Sequence, residues 1–266
     1  MIKGKINYNG AEVSYKKTGQ GFPVVLLHGF AENGEIWDTL SPALSQTNTV
    51  IIPDIPGSGE SPLIKGEQIT MEHYAEVINN ILEAEKYEKV IMIGHSMGGY
   101  ITLAFAELFP GKLLSAGLFH SSAYADDEAK IDTRLKAIAS IRDYGSIPFL
   151  KASIPGIFKD PVKSRGDIDD LLNKGNSFLP DALIQYYEAM IHRPDRTHLL
   201  SSIHIPWLFV IGEHDKAVPF EHSLTQSQLP SHSYVQILRE SAHMGMLEES
   251  KKCKDILANF FHDIIS

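Results

Sequence analysis

Three residues far apart in this 266-residue sequence, Ser96, Asp215 and His243, are of types that together could activate an alcohol. A serine hydroxyl is a weak nucleophile at neutral pH and needs a base to take its proton. An imidazole, with an ordinary pKa of about 6.5, can accept that proton and return it. A carboxylate on the other ring nitrogen selects the tautomer and stabilises the imidazolium. Attack on a carbonyl would then create an oxyanion. Donors already in place for it are worth about 3–4 kcal/mol each in known cases. The amide of Met97, directly after Ser96, is one expected donor. The amide of Phe30, on the loop after Leu27, is the second.

Such chemistry needs elements that hold the three side chains together. Ser96 lies in Gly94-His95-Ser96-Met97-Gly98-Gly99, between the apolar run Val90-Ile91-Met92-Ile93 and the helix-like run Tyr100 to Ala106. Strand, sharp turn and helix are what a G-x-S-x-G pattern requires before it carries meaning. Glycines 94 and 98 leave room around a serine in a strained backbone. The start of the following helix aims its free N–H groups at an oxyanion beside the serine.

Other strands punctuate the chain. Lys5–Tyr8 and Glu12–Lys16 flank Asn9-Gly10, a hairpin signal. Pro23–Leu27, Thr49–Ile52, Leu113–Phe119, Pro206–Ile211 and Tyr234–Leu238 read as further strands. Between several of them lie helical periodicities: Ile36, Leu40 and Leu44; Tyr74, Val77, Ile78, Ile81 and Leu82 after a capping Thr70; and a closing helix with Cys253, Leu257, Phe260, Phe261 and Ile264. Alternation of this kind predicts an α/β fold, a mostly parallel sheet with helices on both faces. In such sheets loops at the carboxyl ends of the strands form the site. The loops at His28, Asp54, Ser96, His120, Asp215 and His243 all follow strands and are expected on one edge. From residue 123 to about 200 no buried strand is evident. Ile131, Leu135, Ile138 and Ile141 make one stripe, and 167–173 and 180–191 suggest two more helices. This predicts a core of residues 1–122 and 201–266 interrupted by a helical lid, 123–200.

Apolar residues make up 43% of the chain, which supports a proper core, and the formal charge is −9 with scattered basic residues. That balance argues against a nucleic-acid surface. The single cysteine, Cys253, excludes an internal disulfide and reads as a small core residue. No run is long and apolar enough for a membrane span, and the first residues lack the apolar stretch of a signal peptide; a soluble cytoplasmic protein is expected. No histidine, cysteine or carboxylate cluster has metal-ligand spacing. Gly57 and Gly59 do not complete a dinucleotide-binding pattern.

The motifs His28-Gly29-Phe30, Asp54-x-Pro56-Gly57-x-Gly59-x-Ser61, Gly94-His95-Ser96-Met97-Gly98-Gly99, Gly212-x-x-Asp215-x-x-Val218-Pro219 and Ala242-His243 come in one order along nearly the whole chain. The sequence resembles the α/β-hydrolase fold serine hydrolases, and among them the small lidded carboxylesterases and carbon–carbon bond hydrolases. Nucleophile, acid and base follow in the order described for that fold. The resemblance implies a serine esterase acting on a small-molecule ester without cofactor or metal. Fold relatives that are epoxide hydrolases or haloalkane dehalogenases carry an aspartate where Ser96 stands. A carbon–carbon bond hydrolase using the same three residues, and a slow or non-catalytic ligand receptor, remain as alternatives. Asp54 is expected to hold its own turn, and His28 and His95 to act as hydrogen-bonded supports. His28, Gly29, His120, Ser121, Phe149 and Phe158 are candidates for the pocket wall. Neither the oligomeric state nor the natural substrate is legible.

Overall fold

The computed structural model describes residues 2–266. Eight strands form one sheet: β1 (Ile2–Tyr8), β2 (Ala11–Thr18), β3 (Phe22–Leu27), β4 (Asn48–Pro53), β5 (Val90–His95), β6 (Leu113–Phe119), β7 (Trp207–Gly212) and β8 (Ser233–Leu238). Their spatial order is β1-β2-β4-β3-β5-β6-β7-β8. β1 pairs antiparallel with β2, and β2 with β4; every other pair is parallel. The β1–β2 turn places Asn9 and Gly10 at φ 49° and 84°. Two successive positive φ angles make the tight turn whose twist matches the strands.

The strands from β3 to β8 run the same way, so their carboxyl ends share one edge. The connection order reverses between β3 and β5, since β4 lies on one side of β3 and β5 on the other. A crevice opens at such a reversal. The central strands are buried on both faces, as the apolar runs of β3, β5 and β7 require.

Eleven helices accompany the sheet among the described residues: α1 (Ser41–Leu44), α2 (Met71–Ala84), α3 (Met97–Leu108), α4 (Glu128–Tyr144), α5 (Ser146–Ser153), α6 (Arg165–Gly175), α7 (Pro180–Ile191), α8 (Thr197–Ser202), α9 (Phe220–Gln226), α10 (Gly245–Glu248) and α11 (Ser250–Ile265). All five residues expected to form the apolar stripe of α2 are buried. The backbone N–H of Thr70 donates to His73 Nδ1 at 3.2 Å, which caps that helix. α3 buries every residue from Met97 to Ala106, because it packs against β3, β5, β6 and α2. Cys253 is buried in α11, and its thiol donates to the carbonyl of Gly245.

Two sequence expectations need correction. Ile36, Leu40 and Leu44 are buried as their spacing implies, but a 3-10 turn at Gly34–Trp37 and the short α1 replace one continuous helix. Pro42 sits in the first turn of α1, where its missing N–H costs nothing. In α4, Leu135 is 53% exposed. The inward face runs through Ile131, Arg134, Ile138 and Ile141, with Ile138 and Ile141 fully buried. Helical spacing permits either 134 or 135 on that face, and an ion pair of Arg134 with Asp126 settles the choice.

α4 to α8 occupy the whole connection from β6 to β7, with no strand among them. They lie over the edge where β3 and β5 end. Tyr186 of α7 donates to the carbonyls of Ile55 and Pro56, and Gln185 to that of Ile64. Phe30 stacks on Tyr187, with ring centroids 4.2 Å apart.

Candidate active site

Ser96 follows β5 directly and takes φ 51°, ψ −115°. A non-glycine residue in that region stores about 1–3 kcal/mol of strain and persists only where its surroundings enforce it. The enforcement is visible. The Ser96 N–H donates to the carbonyl of Phe119 at 2.9 Å, and its own carbonyl accepts from Gly99 N–H at 2.9 Å and from Ser121 Oγ at 2.6 Å. Gly98 lies against β3: a Cβ there would stand 2.7 Å from the carbonyl oxygens of Leu27 and His28. The turn can therefore close only on glycine.

Ser96 Oγ lies 2.9 Å from His243 Nε2, and His243 Nδ1 lies 2.8 Å from Asp215 Oδ2. The three come from the ends of β5, β7 and β8 and meet at one point of the edge. Asp215 Oδ1 accepts the amides of Ala217 and Val218 at 2.8 and 2.9 Å, which leaves Oδ2 facing the imidazole. Burial pushes the Asp215 pKa up, but the charge and hydrogen bond of His243, with the nearby imidazole of His120, outweigh it, and the carboxyl is held well below its usual range. Burial lowers the pKa of His243, but the Asp215 charge and hydrogen bond, aided by Glu32 and Glu248, outweigh it and hold the imidazole above its ordinary value. The arrangement thus keeps an anion beside a base that gains stability when protonated.

A second tier of side chains holds the first. His95 Nε2 donates to the carbonyl of His243 at 3.0 Å, and its Nδ1 lies 3.0 Å from Glu32 Oε2, which also accepts the Gly29 amide at 2.7 Å. Glu248 accepts the amides of Ala242 and Lys159, and the His243 amide donates to the carbonyl of Ile157. The histidine loop is thereby tied to the helical segment. Asp54 accepts from the amides of Gly34 and Glu60, as its turn position predicts.

The amides of Phe30 and Met97 make no hydrogen bond within the chain among the described residues. Met97 opens α3, so its N–H is one of the helix's free donors. The loop of Phe30 passes close to Ser96: a Cβ on Gly29 would stand 3.1 Å from the Ser96 Cβ.

A cavity of about 180 Å³ opens above Ser96 and His243. The sheet edge contributes Phe30, Tyr100 and Val218 to its wall, and the helical segment contributes Arg134, Leu150 and Tyr187 among others. Its lining is mostly apolar, with few polar groups, as small-ligand sites are.

None of the six residues expected in the pocket wall lines this cavity, whereas Phe30, expected only as an oxyanion donor, does. His28 is fully buried below it, where Nε2 accepts the Ile55 amide. Gly29 spends its amide on Glu32. His120 stands behind Asp215, with Nδ1 3.5 Å from Oδ2, and its Nε2 accepts the Gly245 amide. Burial lowers the His120 pKa to about 4, so it remains neutral. Ser121 supports the Ser96 carbonyl. Phe149 packs edge-on against Phe30 and Tyr187, outside the wall, and Phe158 is buried elsewhere in the segment. Sequence reasoning missed Arg134, Tyr187 and Met190. A charged residue three after Ile131 and four before Ile138 is the one available signal for Arg134.

Among the described residues no group of three His, Cys, Asp or Glu side chains could hold a metal ion, and no helix is long and apolar enough to cross a membrane.

Comparison with known proteins extends this picture. A family profile described as the alpha/beta hydrolase fold matches residues 23–140. A dihydrolipoyllysine-residue acetyltransferase component of an acetoin cleaving system, from Pseudomonas putida, is 28% identical over 90% of this chain; the chain spans 63% of that protein's length. A pimeloyl-acyl-carrier-protein methyl ester esterase from Aeromonas hydrophila is 27% identical, over 93% of this chain and 98% of its own. A thermophilic esterase from Thermogutta terrifontis superposes with a TM-score of 0.92 at 24% identity, over the full length of both chains. Profile, sheet order and structural likeness agree that this chain is an α/β-hydrolase fold protein.

Proposed function

We propose that this protein is a serine hydrolase of small or medium carboxylic esters, working without a cofactor through Ser96, His243 and Asp215. One observation carries the reading: the hydroxyl, imidazole and carboxylate stand in line at 2.9 and 2.8 Å, at the foot of a mostly apolar cavity. His243 Nε2 takes the Ser96 proton as Oγ attacks the ester carbonyl. The oxyanion rests on the amides of Phe30 and Met97. The imidazolium is stabilised by Asp215 and gives its proton to the departing alcohol. Water, deprotonated by His243, then releases the acid from the acyl-enzyme.

Residues 123–200 act in this reading as a lid over a core of residues 1–122 and 201–266. The likeness to an esterase over nearly the full length of both chains supports the ester as substrate. Cavity size points to the small end: about 180 Å³ is below the roughly 300–1,000 Å³ of drug-sized sites.

The test is steady-state turnover of p-nitrophenyl esters of graded acyl length by the intact protein and by Ser96→Ala. Multiple turnover in the former, and its loss in the latter with the fold intact, is expected. Undiminished turnover in Ser96→Ala overturns the assignment. Binding without turnover would favour a receptor. Cleavage of a vinylogous diketone, such as an aromatic meta-cleavage product, in preference to every ester would favour the carbon–carbon bond hydrolase.

A further inference from the structure

Arg134 occupies the inward stripe of α4, where an aliphatic side chain would complete the packing. It is part of the wall of the cavity that holds Ser96 and His243, and 17% of its side chain remains exposed. Nε donates to Asp126 Oδ2 at 2.5 Å and Nη2 to Oδ1 at 3.3 Å. Nη1 meets only the thioether of Met190, at 3.2 Å, and a thioether is a weak acceptor. The ring of Tyr187 lies 5.6 Å from the guanidinium carbon.

Asp126 has a fully buried carboxylate, and it serves a second cation, Arg193, whose Nη2 donates to Oδ1 at 2.9 Å. The Arg193 side chain is 3% exposed, stacks on Tyr100 at 3.9 Å and donates to the carbonyls of Met190 and Tyr124. Two guanidinium charges share one carboxylate, so the cluster has an excess of one positive charge beside the cavity. Glu32 is the one carboxylate in the cavity wall. Its Oε2 is occupied by Gly29 and His95, and it makes no contact with either arginine.

A substrate that fills the cavity shields the exposed part of Arg134 from solvent. A neutral one would leave the excess charge desolvated, which is costly. A carboxylate would give Nη1, whose present partner is only a thioether, a charge-assisted bond. Packing alone does not explain the residue, because Arg193 by itself supplies Asp126 with a buried partner. We infer that Arg134 forms a subsite for a carboxylate on the substrate, remote from the scissile bond, so that the preferred ester is a monoanion. The inference rests on the ester-hydrolase reading above and names its substrate class.

The experiment compares kcat/KM for charged and neutral esters matched in size. One arm puts the charge on the acyl side: p-nitrophenyl half-esters of succinic, glutaric and adipic acids against p-nitrophenyl butyrate, pentanoate and hexanoate. The other puts it on the alcohol side: 4-acetoxybenzoate against phenyl acetate. In at least one arm the charged ester should be favoured at least tenfold, chiefly through KM. Arg134→Gln should reduce that ratio about tenfold or more, and Arg134→Lys should retain part of it. A preference for the neutral ester in both arms, or a ratio unchanged in Arg134→Gln, overturns the subsite while leaving esterase activity standing. If no ester is turned over, the catalytic reading fails separately. Calorimetric binding of monomethyl glutarate and monomethyl adipate to the intact protein then decides the subsite: affinity that falls in Arg134→Gln sustains it, and no binding, or binding indifferent to the substitution, overturns it.

Discussion

The helices that follow β5 and β6 make opposite use of their residues. α3 buries every residue from Met97 to Ala106, whereas α4, five residues longer, fully buries only Ile138 and Ile141. α3 is wedged between the sheet and α2, and its first residue hangs from the strained Ser96. α4 lies on the outer segment and sends one charged side chain inward. The difference separates two tasks. Groups that would make and break bonds sit on elements that cannot shift without unpacking the core. Groups that would choose the substrate sit where substitutions cost little stability.

The comparison can be broken or sharpened by substitution, and the largest effect belongs to the core. Ser96→Ala should lower ester turnover by at least about 10⁴-fold, by analogy with other serine nucleophiles, with the thermal midpoint little changed. Asp215→Asn should follow, with a fall of about 10³–10⁴-fold in kcat, since an amide neither selects the tautomer nor balances the imidazolium. It should also shift the pH profile. His243 must be neutral to act as base, and its pKa is raised chiefly by Asp215 against the opposing effect of burial. In the intact protein kcat/KM should therefore drop, as pH falls, at a value above 6.5, and Asp215→Asn should move that limb to lower pH. A pH–rate series on both proteins reads the shift; a limb that stays in place denies the coupling.

Effects on stability come next. Phe105→Ala in α3 removes a fully buried ring and should cost about 3–5 kcal/mol by denaturant unfolding. Leu135→Ala in α4, where the side chain is mostly exposed, should stay within about 0.5 kcal/mol. Equal costs at the two positions would erase the contrast between the helices.

Much of this architecture was readable from local pattern. The hairpin turn, the buried strands, the serine turn and the helix after it each depend on residues within a few positions of one another, so short-range sterics and periodicity suffice. The pocket was not readable. His28, His120 and Ser121 follow strands, like Ser96, yet the backbone turns them into the layer beneath the cavity, where they bond Ile55, Gly245 and the Ser96 carbonyl. Being next to the site in sequence says nothing about the side of the loop on which a side chain emerges. Arg134 escaped for a related reason: Leu135 satisfies the helical stripe equally well, and the choice rests on Asp126 and on Met190 of α7.

The sequence by itself determined the order of strands and helices, the strained turn at Ser96 and the residue types available for catalysis, because these follow from neighbouring residues and from chemical type. Tertiary structure alone decided that Ser96, His243 and Asp215 meet within hydrogen-bonding distance, and that Arg134 rather than Leu135 faces the cavity. Both depend on contacts between segments as much as 147 residues apart, which exist only after the sheet has closed and the outer helices have settled over its edge.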